Sequence, residues 1–110
     1  MESFKNVPIV KYCGPNSKDP FSFKFYDANR KVGDKTMRET LRFAMSWWHT
    51  MCGDGTDMFG RGTANKDFGG RDMMSISENR VYAAFEIMNK LGIDFFCFHD
   101  RDIAPEGDSL

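Results

Sequence analysis

Residues 75–102 read SISENRVYAAFEIMNKLGIDFFCFHDRD: a helix, a stop and a strand in immediate succession. Ser75 and Glu78 have the S-x-x-E spacing of a capping box, so a helix is expected over Ile76–Leu91. Val81, Ala84, Phe85, Met88 and Leu91 repeat at i, i+3, i+4 and i+7, which lines one face of that helix with apolar side chains. Gly92 stands where a left-handed cap ends a helix. The run Ile93-Asp-Phe-Phe-Cys-Phe98 follows at once and reads as a short strand buried on both faces, as in parallel sheets. Upstream, Leu41-Arg-Phe-Ala-Met-Ser-Trp-Trp-His49 fits a helix through Leu41, Met45 and Trp48. It also fits a strand through Phe43, Met45 and Trp47, and the helix and strand downstream favour the strand. Leu41–His49, a long loop, the helix and Ile93–Phe98 then make one βαβ unit.

The loop over residues 52–74 holds six of the ten glycines, with Asp and Thr interleaved. It lacks the GxxxxGK[ST] pattern of a phosphate-cradling loop. Long loops inside small domains are usually functional or mobile. Residues 1–34 are broken by Pro8, Gly14, Pro15, Pro20 and Gly33 and read as an irregular N-terminal extension. Within them, Phe21, Phe23 and Phe25 alternate with polar residues, the period of a short half-buried strand. Lys35–Thr40 suits a short helical turn. Residues 35–110 carry the α/β part.

At 110 residues the chain has room for one small domain. Hydrophobic residues are 41% and charged residues 28%, an ordinary globular mix that argues against intrinsic disorder. Fifteen basic against sixteen acidic residues give a net charge of -1, so no bulk attraction to nucleic acid or anionic membrane is expected. No apolar run approaches the roughly 20 residues of a membrane span, and residues 1–12 lack the apolar core of a signal peptide. The three cysteines, Cys13, Cys52 and Cys97, are odd in number, far apart and outside any CxxC pair. Free thiols in a reducing cytoplasm fit them better than disulfides or zinc. Aromatic residues reach 15% with 11 Phe, beside 8 Met, more bulky apolar surface than a chain this short normally buries. That excess suits a core continuing beyond the chain, or a wide interface.

The proposed second strand runs straight into His99-Asp100-Arg101-Asp102. Ligands of parallel α/β folds bind at the carboxyl ends of strands. His99 can serve as a base near neutral pH. A neighbouring carboxylate, from Asp100 or Asp102, would fix its tautomer. A polar loop with a capping Asp has the same composition. His49 ends the other strand beside Trp47 and Trp48, where an aromatic wall would suit the C–H face of a sugar, and ordinary rim packing would look alike. His49, Asp54, Asp57, His99 and Asp102 are oxygen and nitrogen donors of the kind a metal takes, without the tight spacings of a metal motif.

Four stretches together resemble the N-terminal part of the class II xylose isomerases: Leu41–Thr50, Gly55-Thr-Asp-Met-Phe-Gly60, Ala84–Gly92 and Cys97-Phe-His-Asp-Arg-Asp-Ile-Ala-Pro-Glu-Gly107. They lie in family order, and fainter similarity reaches up through Tyr12 and Phe25-Tyr26. The resemblance implies a (β/α)8 TIM barrel, of which this chain holds the N-terminal extension and the first β-α-β unit. It implies an aldose–ketose isomerase that interconverts D-xylose and D-xylulose, with D-glucose a poorer substrate, by ring opening and a 1,2-hydride shift. By the match to H-D-x-D, His99 opens the sugar ring and Asp102 holds it. Trp48 matches the aromatic wall of the sugar pocket, and Phe59 a Phe inserted into a neighbouring subunit's site. Also implied are two divalent cations (Mg2+, Mn2+ or Co2+), a homotetramer and a cytoplasmic location. Asn65-Lys-Asp-Phe68 and Gly33-Asp-Lys35 depart from the usual family sequence.

The family's metal ligands and catalytic Lys come from later strands, so none is expected here. These residues alone are expected to be an inactive fragment. The competing expectation is a small stand-alone α+β binding module, with Trp47, Trp48 and the loop phenylalanines forming a partner surface.

Overall fold

A computed structural model of the chain describes residues 2–110. The organising element is a helix that begins three residues earlier than the S-x-x-E motif suggests. It spans Met73–Leu91, and Asp72 is its N-cap. The Asp72 carboxylate accepts the Ser75 amide hydrogen at 2.8 Å, while Ser75 Oγ accepts the Asp72 amide hydrogen at 3.1 Å. Ser75 is therefore the inner member of the box, not the cap, and Glu78 takes no part in it. Met73 and Met74 are exposed, so the first turn carries no apolar periodicity to betray it. Gly92 closes the helix in the left-handed region at φ 71°, where a side chain would be strained.

Before this helix come β1 (Lys11–Tyr12), β2 (Ser22–Phe23), β3 (Lys31–Val32), β4 (Lys35–Thr36), α1 (Met37–Thr40), β5 (Ala44–Ser46) and α2 (Trp47–Thr50). The long helix is α3, and β6 (Phe95–Cys97) and α4 (Asp100–Ile103) follow it. Strands β1 and β2 pair in parallel, β3 and β4 antiparallel, and β5 and β6 in parallel. The N-terminal region is thus less irregular than its prolines suggest. The phenylalanine alternation shrinks to Ser22–Phe23, with Phe25 exposed.

The β5–α3–β6 connection is the expected βαβ unit, but its first strand is far shorter than Leu41–His49. Only three residue pairs meet, Ala44↔Phe95, Met45↔Phe96 and Ser46↔Cys97. Past Ser46 there is no facing strand, and the backbone satisfies itself in a helical turn. Trp47 O accepts the amide hydrogens of Met51 and Cys52, and Ser46 O accepts the Thr50 hydroxyl. The 52–74 loop accordingly ends at Asp72. Asn79 on α3 ties it down by donating to Phe68 O at 3.1 Å, and Gly70 packs so closely that a Cβ there would sit 2.6 Å from the Ile76 amide.

The core is a small cluster of Met45, Trp47, Met51, Ala83, Ala84 and Met88. Ser77 and Ala83 join the buried side of α3, whereas Phe85 stays 39% exposed. The apolar run at 93–98 reads as a strand covered on both faces. Phe95, Phe96 and Phe98 are instead 40–46% exposed, because a two-stranded sheet offers each face only what α3 and Trp47 cover. The surface totals 8511 Å², against about 6,200 Å² for a compact monomer of this mass. The radius of gyration is 16.9 Å, where a compact 100-residue domain has about 13 Å.

The N-terminal arm is held to α3 by polar bonds. Glu86 accepts the Ser3 and Phe4 amide hydrogens, and Lys90 Nζ donates to Phe4 O and Glu2. A bidentate Arg38–Asp94 pair ties α1 to the start of β6. Among the described residues, no helix is long and apolar enough to cross a membrane.

Candidate active site edge

The parallel register of β5 and β6 decides what meets at their carboxyl ends. Ser46 faces Cys97, so Trp48 and His99 each stand two residues beyond the last paired position. Their rings lie 4.5 Å apart between centroids at a 43° tilt. Trp47, by contrast, turns inward and is 1% exposed. It stacks on Phe96 at 5.4 Å and meets Phe85 edge-on at 5.6 Å. One tryptophan of the pair therefore builds the core and the other the edge. His49 is exposed, and its ring centroid lies 5.6 Å from that of Trp48.

His99 precedes α4, and its side chain is 65% exposed. Asp102, one turn on, is 6% exposed. Its Oδ2 accepts the His99 backbone N–H at 2.7 Å and lies 3.6 Å from the imidazole Nδ1. The second distance is too long for a hydrogen bond but leaves the acid facing that nitrogen. Asp100 is spent locally, accepting the Arg101 amide hydrogen at 2.9 Å. Of the two carboxylates left open by sequence, Asp102 is the one beside the imidazole.

Two further residues come to Asp102 that sequence reasoning did not pick out. Arg80, on α3, donates from Nη1 to the Asp102 carbonyl at 3.0 Å. Cys52, just past α2, lies against the Asp102 side chain. Burial, followed by the hydrogen bond to Asp102, pushes its thiol pKa up to about 11. The only sequence clue to Arg80 is its place between Ser77 and Ala84, on the buried side of the helix.

Phe59 is 90% exposed on the glycine-rich loop, where the Asp57 carboxylate accepts its amide hydrogen at 2.7 Å. It stays apart from the Trp48–His99 stack. Asp54 and Asp57 are likewise engaged in loop turns, accepting from Thr56 and Phe59. Among the described residues no three His, Cys, Asp or Glu side chains converge as a metal site would require. The donor set present does not fit a divalent cation. A cleft of about 440 Å³ lies between the β1–β2 arm and the carboxyl end of α3, away from both His99 and Trp48. The His99 edge is an open wall rather than an enclosed pocket.

No family model matches the chain. Curated relatives do. The chain is 53% identical over 111 residues to the xylose isomerase of Caldanaerobacter subterraneus subsp. yonseiensis, covering all of this chain and 25% of that protein. It is 52% identical over 110 residues to the xylose isomerase of Geobacillus stearothermophilus, again over all of this chain and 25% of the relative. With the xylose isomerase of Thermoanaerobacterium saccharolyticum it shares 52% over 108 residues, 97% of this chain and 25% of the relative.

This chain is a homologue of the N-terminal part of xylose isomerase.

It spans a quarter of the length of the xylose isomerases it matches. The alignments run the length of the chain, from the extension to past the His99 turn. The fold seen in these residues is a small α/β unit, and its Trp48–His99 edge brings together an imidazole, a facing carboxylate and an indole.

Proposed function

We propose that these residues are the first strand-helix-strand unit of an aldose–ketose isomerase with a (β/α)8 barrel. Its reaction interconverts D-xylose and D-xylulose, with D-glucose a poorer substrate. The observation that carries the proposal is the equal register of Trp48 and His99 at the carboxyl edge of β5 and β6. Homology to xylose isomerases over the whole chain supports it.

In this scheme His99 Nε2 takes the proton of the anomeric hydroxyl and returns one to the ring oxygen. The bond from C1 to the ring oxygen breaks, C1 becomes a carbonyl, and the sugar lies open. Asp102 favours the tautomer with its proton on Nδ1, which leaves Nε2 basic. Trp48 supplies an apolar face for the sugar's C–H groups and sets the imidazole plane. Phe59 reaches the site of a neighbouring subunit in a homotetramer, which accounts for a large aromatic ring left in solvent on a long loop. Two divalent cations belong to the full proposal, with ligands outside these residues.

The test compares a ring-closed pentose with a three-carbon aldose too short to cyclise, using the whole protein. His99→Ala is expected to lower kcat/KM for the pentose by about 100-fold or more, the usual worth of a general acid–base group, and to affect the short aldose little. Equal losses on both substrates would refute ring opening by His99.

A further inference from the structure

We propose that Arg80 is a positioning residue for the ring-opening pair, an inference that rests on the roles just given to His99 and Asp102. Helix α4 has four residues, too few to be stable alone. Its placement must come from what holds it: Ile103 packs against the core, and Asp102 is bonded from α3. That residue is 6% exposed, and its carboxylate is committed to the His99 amide and faces the imidazole. Arg80 reaches Asp102 from the middle of α3, 22 residues earlier in the chain, and bonds its carbonyl at 3.0 Å.

That bond acts on the geometry of the site. It anchors the α4 turn to the longest rigid element of the chain, so His99 keeps a fixed height relative to Trp48 on the neighbouring strand. Cys52, just past α2, approaches the carboxylate, so Asp102 is held at its carbonyl from α3 and at its side chain from the end of α2. Arg80 touches neither the imidazole nor the edge where a sugar would lie. Its effect passes through Asp102.

The experiment measures, in the whole protein, the ratio of kcat/KM for a ring-closed pentose to that for a three-carbon aldose. Arg80→Met keeps the stem and removes the charge and the donors. It is expected to lower the ratio about 10- to 100-fold, the usual range for losing a group that orients a reacting side chain. Arg80→Lys restores the charge and one donor and is expected to recover part of that loss. An unchanged ratio in Arg80→Met, whatever happens to overall activity, overturns the assignment, because a merely structural role would lower both substrates together. Should Arg80→Met fail to fold, Arg80→Gln takes its place with the same criterion. His99→Ala is run alongside. If it lowers the ratio and the Arg80 variants do not, only the Arg80 assignment falls. If His99→Ala itself leaves the ratio unchanged, both assignments fall.

Discussion

Asp102 holds the backbone amide of His99 at 2.7 Å, closer than it comes to the imidazole, whose Nδ1 lies 3.6 Å away. The acid therefore shapes the turn as well as facing the ring. Asparagine keeps an oxygen for that amide and alanine does not. Asp102→Ala is expected to cost about 1 kcal/mol more stability than Asp102→Asn, the worth of a capping hydrogen bond. Thermal unfolding of the two variants checks it, and identical midpoints would show that the amide bond contributes nothing.

The adjacent tryptophans are expected to separate stability from activity. Trp47 is 1% exposed and stacked on Phe96, so Trp47→Ala should cost about 3–5 kcal/mol. Trp48 is half-buried beside His99, so Trp48→Ala should cost much less stability and fall mainly on turnover. Chemical denaturation alongside initial rates tests this. Equal destabilisation by the two substitutions would contradict the division of labour.

At the start of α3, Asp72→Ala should lower the unfolding midpoint clearly and Glu78→Ala hardly at all, since only Asp72 caps the helix. The Ser75 amide and hydroxyl hold the Asp72 carboxyl below its ordinary 3.8. Its contribution is thus present above that value and lost as pH falls through the lower folded one. The penalty of Asp72→Ala should accordingly shrink between about pH 7 and about pH 2, as followed by unfolding at each pH. A penalty equally large at both would argue that the carboxylate charge is irrelevant to the cap.

Cys52 should resist alkylation. Its thiol is pushed from 9.0 up to about 11, first by burial and then by Asp102, so near neutral pH it offers about 100-fold less thiolate than an ordinary thiol. A time course with iodoacetamide, read by mass spectrometry, should show the exposed Cys13 modified well before Cys52. Simultaneous modification would mean that the Cys52 pocket is open. The raised value also implies that the neutral thiol's contribution to stability holds below about pH 9 and is lost as pH rises through about 11.

What could be read from residues alone was local. The α3 helix, its stop at Gly92 and the strand after it follow from side-chain periodicity and one left-handed glycine, and both act within a few residues. The polar run from His99 to Asp102 marks a candidate site for the same reason: charged groups directly after an apolar strand are conspicuous in one dimension. The four motifs that resemble xylose isomerase added the choice of Asp102 over Asp100 and of Trp48 over Trp47, which periodicity could not make.

The remainder depended on contacts between distant segments. The length of β5 was set by how far β6 runs beside it, and the inward turn of Trp47 by the phenylalanines of another strand. Asp72 outranked Ser75 as the cap because the two side chains satisfy each other's amides, and the exposed first turn gave no pattern to mark its start. Arg80 and Cys52 lie 22 and 50 positions from Asp102 and meet it only once α3 folds back across the sheet. Sequence determines what each short segment prefers, since backbone and side-chain preferences are local. Which residues share a site is decided by the packing that brings remote segments together.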